Sequence, residues 1–529
     1  MSFPPRGISA KSGDHDHGGW CFAVILTALF LAGAGIGAVH HEFWRDEAQA
    51  WLIARDVPTL TALLEQAHYE GAPPLWSLML RPLALLTPGW PGAMQVLTWA
   101  LAGVTVFIFV RFAPFSRIHK ILILANYYLL FQYGIVCRNY LPGLLCLSVA
   151  CVLYPAARQR PWGFTLVLIG AGLASVHSLI VAMALGASFW LRWGWSAWRK
   201  RRQPGKVDEL KKQWPALAGL VSGVGVAAYA MLPRADTLYA AASGWNLDWN
   251  PYRLAKVAWA MVNAYFPTPR PPGFFWIPPW DVPFVSFDPV WGFAPVALGM
   301  VILTVFLLRR HAGSLLFYLL GTLGVAAFLY LKYLGFSRHT GFLFFTFLFA
   351  LWIKRNDEAA AGLSRSWSDY VAGTALTVML VVQAITGVWA VREDYERPFS
   401  AGKDTAQYIR DHQLQDDFIA VGPDWAGAPL AAYLDRSFYY PHARRHGSFT
   451  RWDTQRQDNT SDEEFLELAT AEAKGADMVI ALDHPLPADL MQKYGIEFLA
   501  HIGGSLTPFE DYFLHFAPGK QSKDKKTKP

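Results

Sequence analysis

Charge is what this 529-residue chain has least of: Asp, Glu, Lys and Arg make up 16% of it against 53% apolar residues. A soluble domain sits near one quarter charged, so a wholly soluble fold is excluded. Cysteine is scarce as well. The four cysteines, Cys21, Cys137, Cys146 and Cys151, lie in or at the edge of apolar runs. None has metal-ligand spacing in a polar loop, and Cys146 and Cys151 share one segment, a poor disulfide frame. They read as small buried hydrophobes. The start, MSFPPRGISAKSGDHDHGGW, lacks a signal-peptide cleavage pattern, and the run 20–39 is long enough to remain as an anchor. There is no Gly-rich phosphate loop to carry a nucleotide. No clear internal repeat of the kind transporters use is present. The net charge of +6 does not imply nucleic-acid binding, because the basic residues cluster in short loops between apolar runs, the orientation signal of a membrane protein.

What is abundant is apolar sequence in runs approaching the roughly 20 residues a helix needs to cross a bilayer. The pattern predicts an α-helical polytopic membrane protein with about eleven spans, near 20–40, 92–111, 118–136, 139–155, 161–175, 177–193, 214–232, 289–308, 313–331, 340–353 and 368–391. Run 73–87 carries Arg81 and Pro82 in its middle and is expected to lie in the interface, with Arg81 snorkelling to water. The loop 194–213, with WRKRRQPGKVDELKK, is assigned to the cytoplasm, and counting outward puts the other basic loops beside it. Residues 1–19 then form a cytoplasmic segment, and 20–391 a transmembrane domain with external loops at 41–91 and 233–288. Within the second loop, 251–266 reads as a further interfacial helix. The prolines at 267–283 read as stiffeners, and Trp44, Trp51 and Trp76 as belt residues at the headgroup level. After about 392 the chain turns charged and alternating. Short apolar runs at 417–421, 477–482, 496–502 and 511–517 read as strands, with helices at 403–413, 462–474 and 486–494. Residues 392–518 are therefore expected to form a small soluble α/β domain. The tail 519–529 is basic and reads as disordered.

The chemistry-bearing residues gather at the outer ends of spans. Asp46 and Glu47 open the first external loop; His68 and Glu70 close it, before Pro73-Pro74. Arg138 and Tyr140 begin one expected span, His177 another, and Lys332, Arg338 and His339 bracket a turn between two more. Ionisable groups near membrane depth are functional candidates. Cations suit an anionic group such as a phosphate, with Arg as bidentate partner, and a carboxylate suits proton abstraction from a nucleophile. The plainer alternatives are an acidic first turn for a helix at Asp46-Glu47, an interface anchor at Arg138 and a satisfied interfacial histidine at His177.

The run WRDEAQAWLIARD followed by HYEGAPPLW resembles the first external loop of the GT-C glycosyltransferases, in the branch of the protein O-mannosyltransferases and the lipid A aminoarabinose transferases. That branch has an Asp-Glu pair soon after the first span, then a His/Lys-Pro-Pro-Leu motif. Asp46-Glu47 matches the pair. Ala72-Pro73-Pro74-Leu75 matches the second motif except that Ala72 replaces the polar residue, leaving His68 or Glu70 as the stand-in. CRNYLPGLL (137–145) and SRHTGFLFF (337–345) look like Arg-containing span starts of bacterial members. The resemblance covers about 20–391 and excludes the C-terminal domain.

The resemblance implies a membrane glycosyltransferase of a bacterial inner membrane. Its site and C-terminal domain would be on the periplasmic side. It would move a sugar from a polyprenyl-phosphate-linked donor to a glycan, lipid or protein acceptor of the envelope, with inversion. Asp46 would be the base beside Glu47. Arg138, Tyr140, His177, Lys332, Arg338 and His339 would surround the donor phosphate, with His68 and Glu70 as acceptor or supporting residues. No cofactor is implied, and the branch generally works without a metal, although Asp46, Glu47, His68 and Glu70 are the kinds of ligand a divalent cation takes. The competing functions are a lipid or sugar transporter or flippase, and a non-catalytic envelope assembly protein.

Overall fold

The computed structural model of the chain describes residues 19–199, 206–238, 244–267, 290–457 and 459–519. Most of the expected N-terminal segment and basic tail, the prolines at 268–283 and the basic core of the 194–213 loop lie outside the described residues.

Helix α1 (Trp20–His40) leads into a segment that folds as α2 (Arg45–Asp56), α3 (Leu60–Glu70) and α4 (Leu75–Leu86). Then come α5 (Gly92–Phe112), α6 (Arg117–Leu124), a π-helical turn Tyr127–Gln132, α7 (Tyr140–Leu153), α8 (Pro161–Gly172), α9 (Val176–Arg199) and α10 (Lys206–Ala230). The helical region closes with α11 (Pro251–Tyr265), α12 (Phe293–Leu308), α13 (Ala312–Leu331), α14 (Ser337–Ala360) and α15 (Trp367–Glu396). By length and composition, five of these helices can cross a membrane: α1, α5, α9, α13 and α15.

Several expected elements take a different form. The stretch 118–136 is not one helix but α6, a break and the π-turn. Asn126 makes the break: its side chain accepts from Leu129 N at 2.9 Å and donates to Gln383 on α15, so a buried amide pair turns the chain where hydropathy reads straight through. The run 340–353 lies in α14, where every residue from Ser337 to Lys354 is buried. It is the central helix, hydrophobic all round because protein surrounds it. Helix α11, expected as an interfacial helix, packs most of its length against protein. Val257–Ala260 and Val262–Tyr265 are buried, and the helix packs against α12 and α14. Arg81 on α4, expected to snorkel, is half-buried and has protein partners. It donates to the carbonyls of Ala54 at 2.8 Å, Val57, and Pro58 at 3.1 Å, satisfying the end of α2, where orphan acceptors favour a cation. Of the cysteines, which are all free, Cys137 and Cys151 are buried and Cys146 is half-buried, but Cys21 is exposed on α1.

Helix α14 fixes which residues share an end of the bundle. Its 24 residues span about 36 Å, from Arg338 at one end to Lys354 and Glu358 at the other. The far end carries ion pairs from Lys354 to Asp369 and Glu358, from Arg192 to Asp357 and from His311 to Glu358. Helix α9 likewise runs from His177 at the near end to Arg192 at the far end.

The C-terminal region forms a six-stranded sheet: β1 (Phe418–Gly422), β2 (Phe438–Tyr440), β3 (Arg445–Gly447), β4 (Met478–Leu482), β5 (Glu497–Ile502) and β6 (Tyr512–Ala517), in the order β3-β2-β1-β4-β6-β5. β1 is parallel to β2 and β4; the other pairs are antiparallel. Its helices are α16 (Gly402–Asp411), α17 (Gly427–Leu434), α18 (Asp462–Ala473) and α19 (Ala488–Tyr494). Strands of three residues carry too little alternation to be read from sequence, and α17 opens on Gly and Pro; those are the elements the sequence reading lacks.

This domain is not an appendage. Trp51, Leu52, Trp76 and Leu80 of α2 and α4 share one buried apolar cluster with Ile409, Leu430, Phe438 and Tyr512. Trp51 and Trp76 are thus core residues rather than belt residues, as is Trp44, at 2% exposure. Burying an aromatic or aliphatic side chain of this size contributes about 1.5–3 kcal/mol, so the shared cluster outweighs the surface ion pairs along the seam, each worth at most about 1 kcal/mol.

Candidate active site

The site is built from the first turn of α2. Trp44 is extended, and the Glu47 carboxylate reaches back to accept from Trp44 N at 3.3 Å, the N3-acid half of a capping box. Glu47 also accepts from Cys137 N and pairs with His41 at 3.0 Å, and His41 pairs with Asp394 of α15 at 2.9 Å. All three of these side chains are buried. Glu47, expected beside the base, is therefore an internal tie between α1, α2, the 137–139 segment and α15.

Asp46 is one residue earlier and so turned about 100° around the helix. Its carboxylate is 3.1 Å from Arg138 Nη2 and 3.5 Å from Arg338 Nη2. Arg138 precedes α7, and Arg338 stands in the first turn of α14. Both guanidinium groups lie over the Trp44 ring, at 5.8 and 5.1 Å, and Arg338 also lies over Phe336 at 4.4 Å. Aromatic faces hold such planes in place. The Tyr133 hydroxyl donates to the Arg338 carbonyl at 2.7 Å. The Asp46 side chain is one-third exposed (33%), whereas those of Arg138 and Arg338 are 19% and 7% exposed. The acid faces outward on a largely buried cationic floor.

A ring stack continues from the arginines. Tyr140 meets His339 edge-on at 5.4 Å, and His339 stacks on His177 at 4.9 Å. His339 Nδ1 takes the Phe336 N–H at 2.6 Å. His177 is 2% exposed, and among the described residues neither of its ring nitrogens has a hydrogen-bond partner. A buried unsatisfied polar group costs about 1–3 kcal/mol, so His177 is a group that a polar ligand would complete.

The remaining expected residues divide. Glu70 ends α3, where Gly71 takes φ +61°. Its Oε1 accepts from Gln49 at 3.1 Å and Gln66 at 3.0 Å, and it feels the charges of Asp46 and Arg138. His68 faces elsewhere, bonded to the Leu232 carbonyl at 2.7 Å and packed on Tyr229. Lys332 caps α13 and lies 5.8 Å over Trp245. Asp46, Glu47, His68 and Glu70 thus do not converge as ligands. Among the described residues, no group of three or more His, Cys, Asp or Glu side chains is placed to hold a metal ion.

No protein-family model and no curated protein matches this chain.

Sequence reasoning missed Arg45, Gln49 and Glu510. Arg45 lies over Trp425 at 4.4 Å and pairs with Glu510 at 3.7 Å. Gln49 both donates to and accepts from the Thr450 backbone, at 2.7 and 2.9 Å. Arg45 and Gln49 flank Asp46 in sequence, but their partners lie about 400 residues away, beyond any local pattern.

The electrostatics have a testable sign. Burial pushes Glu42, Glu70 and Glu510 each up to about 7. Burial alone would lower His41, but Asp394 and Glu47 outweigh it and hold it well above its ordinary value. Burial would raise Asp46, but Arg138, Arg338 and Arg45 outweigh it and hold it below the ordinary carboxylate value. Between about 4.5 and 7, the folded state binds more protons at the three glutamates than the unfolded state does, so their contribution falls as pH rises. The His41 contribution is likewise lost as pH rises through its raised value. Asp46 acts in the opposite direction, losing its contribution below about pH 4, and so does His515 of β6, which burial lowers to about 4 and whose contribution is lost as pH falls from about 6.5. The three glutamates and His41 therefore favour a higher unfolding temperature in detergent at about pH 5 than at about pH 8, and Glu42→Gln and Glu510→Gln are each expected to reduce that part of the pH dependence. A slope of Tm against pH that neither substitution changes contradicts this assignment.

Proposed function

We propose that the chain is a membrane glycosyltransferase that moves a sugar from a polyprenyl-phosphate-linked donor to a hydroxyl of a cell-envelope acceptor, with inversion. The observation that carries this reading is the Asp46 carboxylate held at 3.1 and 3.5 Å from two arginines delivered by distant elements. The GT-C-like motifs at 45–76, 137–145 and 337–345 supply the reaction class, and the arginine pair supplies the chemistry. Two guanidinium groups on an aromatic floor suit a phosphodiester, whose oxygens take parallel N–H donors.

The steps balance without a nucleotide. A donor phosphate that takes over the N–H groups of Arg138 and Arg338 releases Asp46 from the pairing that depresses it, restoring its basicity. Asp46 then takes the proton of the acceptor hydroxyl as that oxygen attacks the anomeric carbon. The bond from that carbon to the phosphate oxygen breaks, and the phosphate leaves with one more negative charge, which the arginines stabilise. Tyr140, His177 and His339 line the phosphate side, and Glu70 supports the acceptor side.

In this reading the chain has about eleven spans of a bacterial inner membrane, with loop 41–91 and the C-terminal domain on the periplasmic side. The apolar cluster shared by α2, α4 and the C-terminal domain supports a common side for both, and the ion-paired far ends of α9 and α14 suit the cytoplasmic face. Mass spectrometry of lipid carriers and envelope glycans, from cells with and without the protein, tests the reading. A polyprenyl-phosphate sugar should accumulate and one glycan sugar should disappear in its absence. Unchanged lipid-linked sugars and glycans would overturn it.

A further inference from the structure

The C-terminal domain meets α2 on either side of Asp46. Phe43 N donates to the Tyr433 hydroxyl at 2.9 Å. Arg45 N donates to Glu510 Oε1 at 3.2 Å. Gln49 pairs twice with the Thr450 backbone and once with Glu70. The contact to Glu510 differs in kind from the others. Glu510 is fully buried, its other oxygen takes the Ser400 hydroxyl at 2.8 Å, and its own carbonyl accepts from Ala401 N at 3.1 Å. It is thus rigid in its own domain while supplying an acceptor to an N–H of the first turn of α2, a position whose own helix provides none. Trp425 of the same domain lies under the Arg45 guanidinium at 4.4 Å.

We propose that Glu510 is a positioning residue for Asp46: the C-terminal domain, through this carboxylate and Trp425, sets where the first turn of α2 begins and engages Arg45, leaving Arg138 and Arg338 as the direct ion-pair partners of Asp46. Arg45 then acts on Asp46 through its charge at longer range, while Arg138 and Arg338 meet Asp46 and the incoming phosphate directly. The domain lies outside the GT-C-like part of the chain, yet the site is incomplete without it. The catalytic half of this statement rests on the glycosyltransferase reading; the positional half does not.

The test uses the full chain in detergent or nanodiscs, followed by hydrogen exchange and by transfer from a polyprenyl-phosphate sugar. Glu510→Ala is expected to speed exchange over residues 43–50 about tenfold, as loss of a helix cap does, and to leave 92–112 and 312–331 unchanged. Glu510→Gln, which keeps an oxygen for the Arg45 N–H, is expected to fall between it and the wild type. Transfer should lose about ten- to a hundredfold in kcat with little change in KM for the donor, because Arg138 and Arg338 are untouched. Should Glu510→Ala raise exchange throughout the chain, Trp425→Ala, which leaves the carboxylate in place, carries the comparison with the same local expectation. Wild-type exchange over 43–50 in both Glu510→Gln and Trp425→Ala overturns the proposal. Absence of transfer in the wild-type chain instead removes the glycosyltransferase reading and leaves exchange to decide the positional half.

Discussion

Asp46→Asn is expected to lower sugar transfer by about 10²- to 10⁴-fold, the usual contribution of a positioned general base, without lowering affinity for the donor. Asn is nearly isosteric and keeps an oxygen for Arg138 and Arg338, so the fold is expected to survive. It removes the negative charge that competes with a phosphate for those arginines. Donor affinity is therefore expected to stay level or rise while turnover collapses, a split that a general loss of structure does not produce. The measurement is single-turnover transfer, together with equilibrium binding of a polyprenyl-phosphate sugar. Retained transfer by Asp46→Asn rules out Asp46 as the base. Glu47 offers an internal control. Glu47→Gln weakens the buried tie to His41 and should therefore show itself first as lost stability, because breaking one side of a buried ion pair costs about 3–5 kcal/mol.

Replacing Arg338 gives the second large effect. Arg338→Ala is expected to cost about 10²- to 10³-fold in kcat, the loss typical when one donor to a developing anion is removed. Arg338→Lys should recover little of it. An ammonium is a point charge and cannot match the planar fork that lies over Trp44 and Phe336 while reaching Asp46 at 3.5 Å. The pH profile should move too. With one guanidinium gone, the Asp46 value rises toward the ordinary carboxylate range, so the acid limb of transfer shifts to higher pH. Measuring kcat/KM against pH, which reports the free enzyme in which Asp46 is still paired, for both variants separates lost anion stabilisation from a change in the base. An Arg338→Lys variant at wild-type rate would contradict the bidentate role.

Much of the site was legible because membrane depth makes ionisable residues conspicuous. Asp46, Arg138 and Arg338 stand out against apolar neighbours, and burial of polar groups needs a reason. Glu47 was legible as a residue but not as to role, since adjacent positions on a helix point apart and only the packing of α15 and the 137–139 segment decides which acid is enclosed. His68 and Lys332 looked equivalent to their neighbours in sequence, yet their side chains turn to Leu232 and Trp245.

Composition and local pattern by themselves determined a mostly helical membrane protein with a small C-terminal sheet, and the positions of β1, β4, β5 and β6. These depend on short-range hydropathy, which every stretch of residues carries within itself. The tertiary structure alone decided that 118–136 breaks at Asn126, that α14 is enclosed by protein, that Arg81 caps α2, and that the C-terminal domain shares a core with the 41–91 segment. Each of these depends on partners tens to hundreds of residues away, and a hydrophobic residue looks the same in sequence whether lipid or another helix covers it.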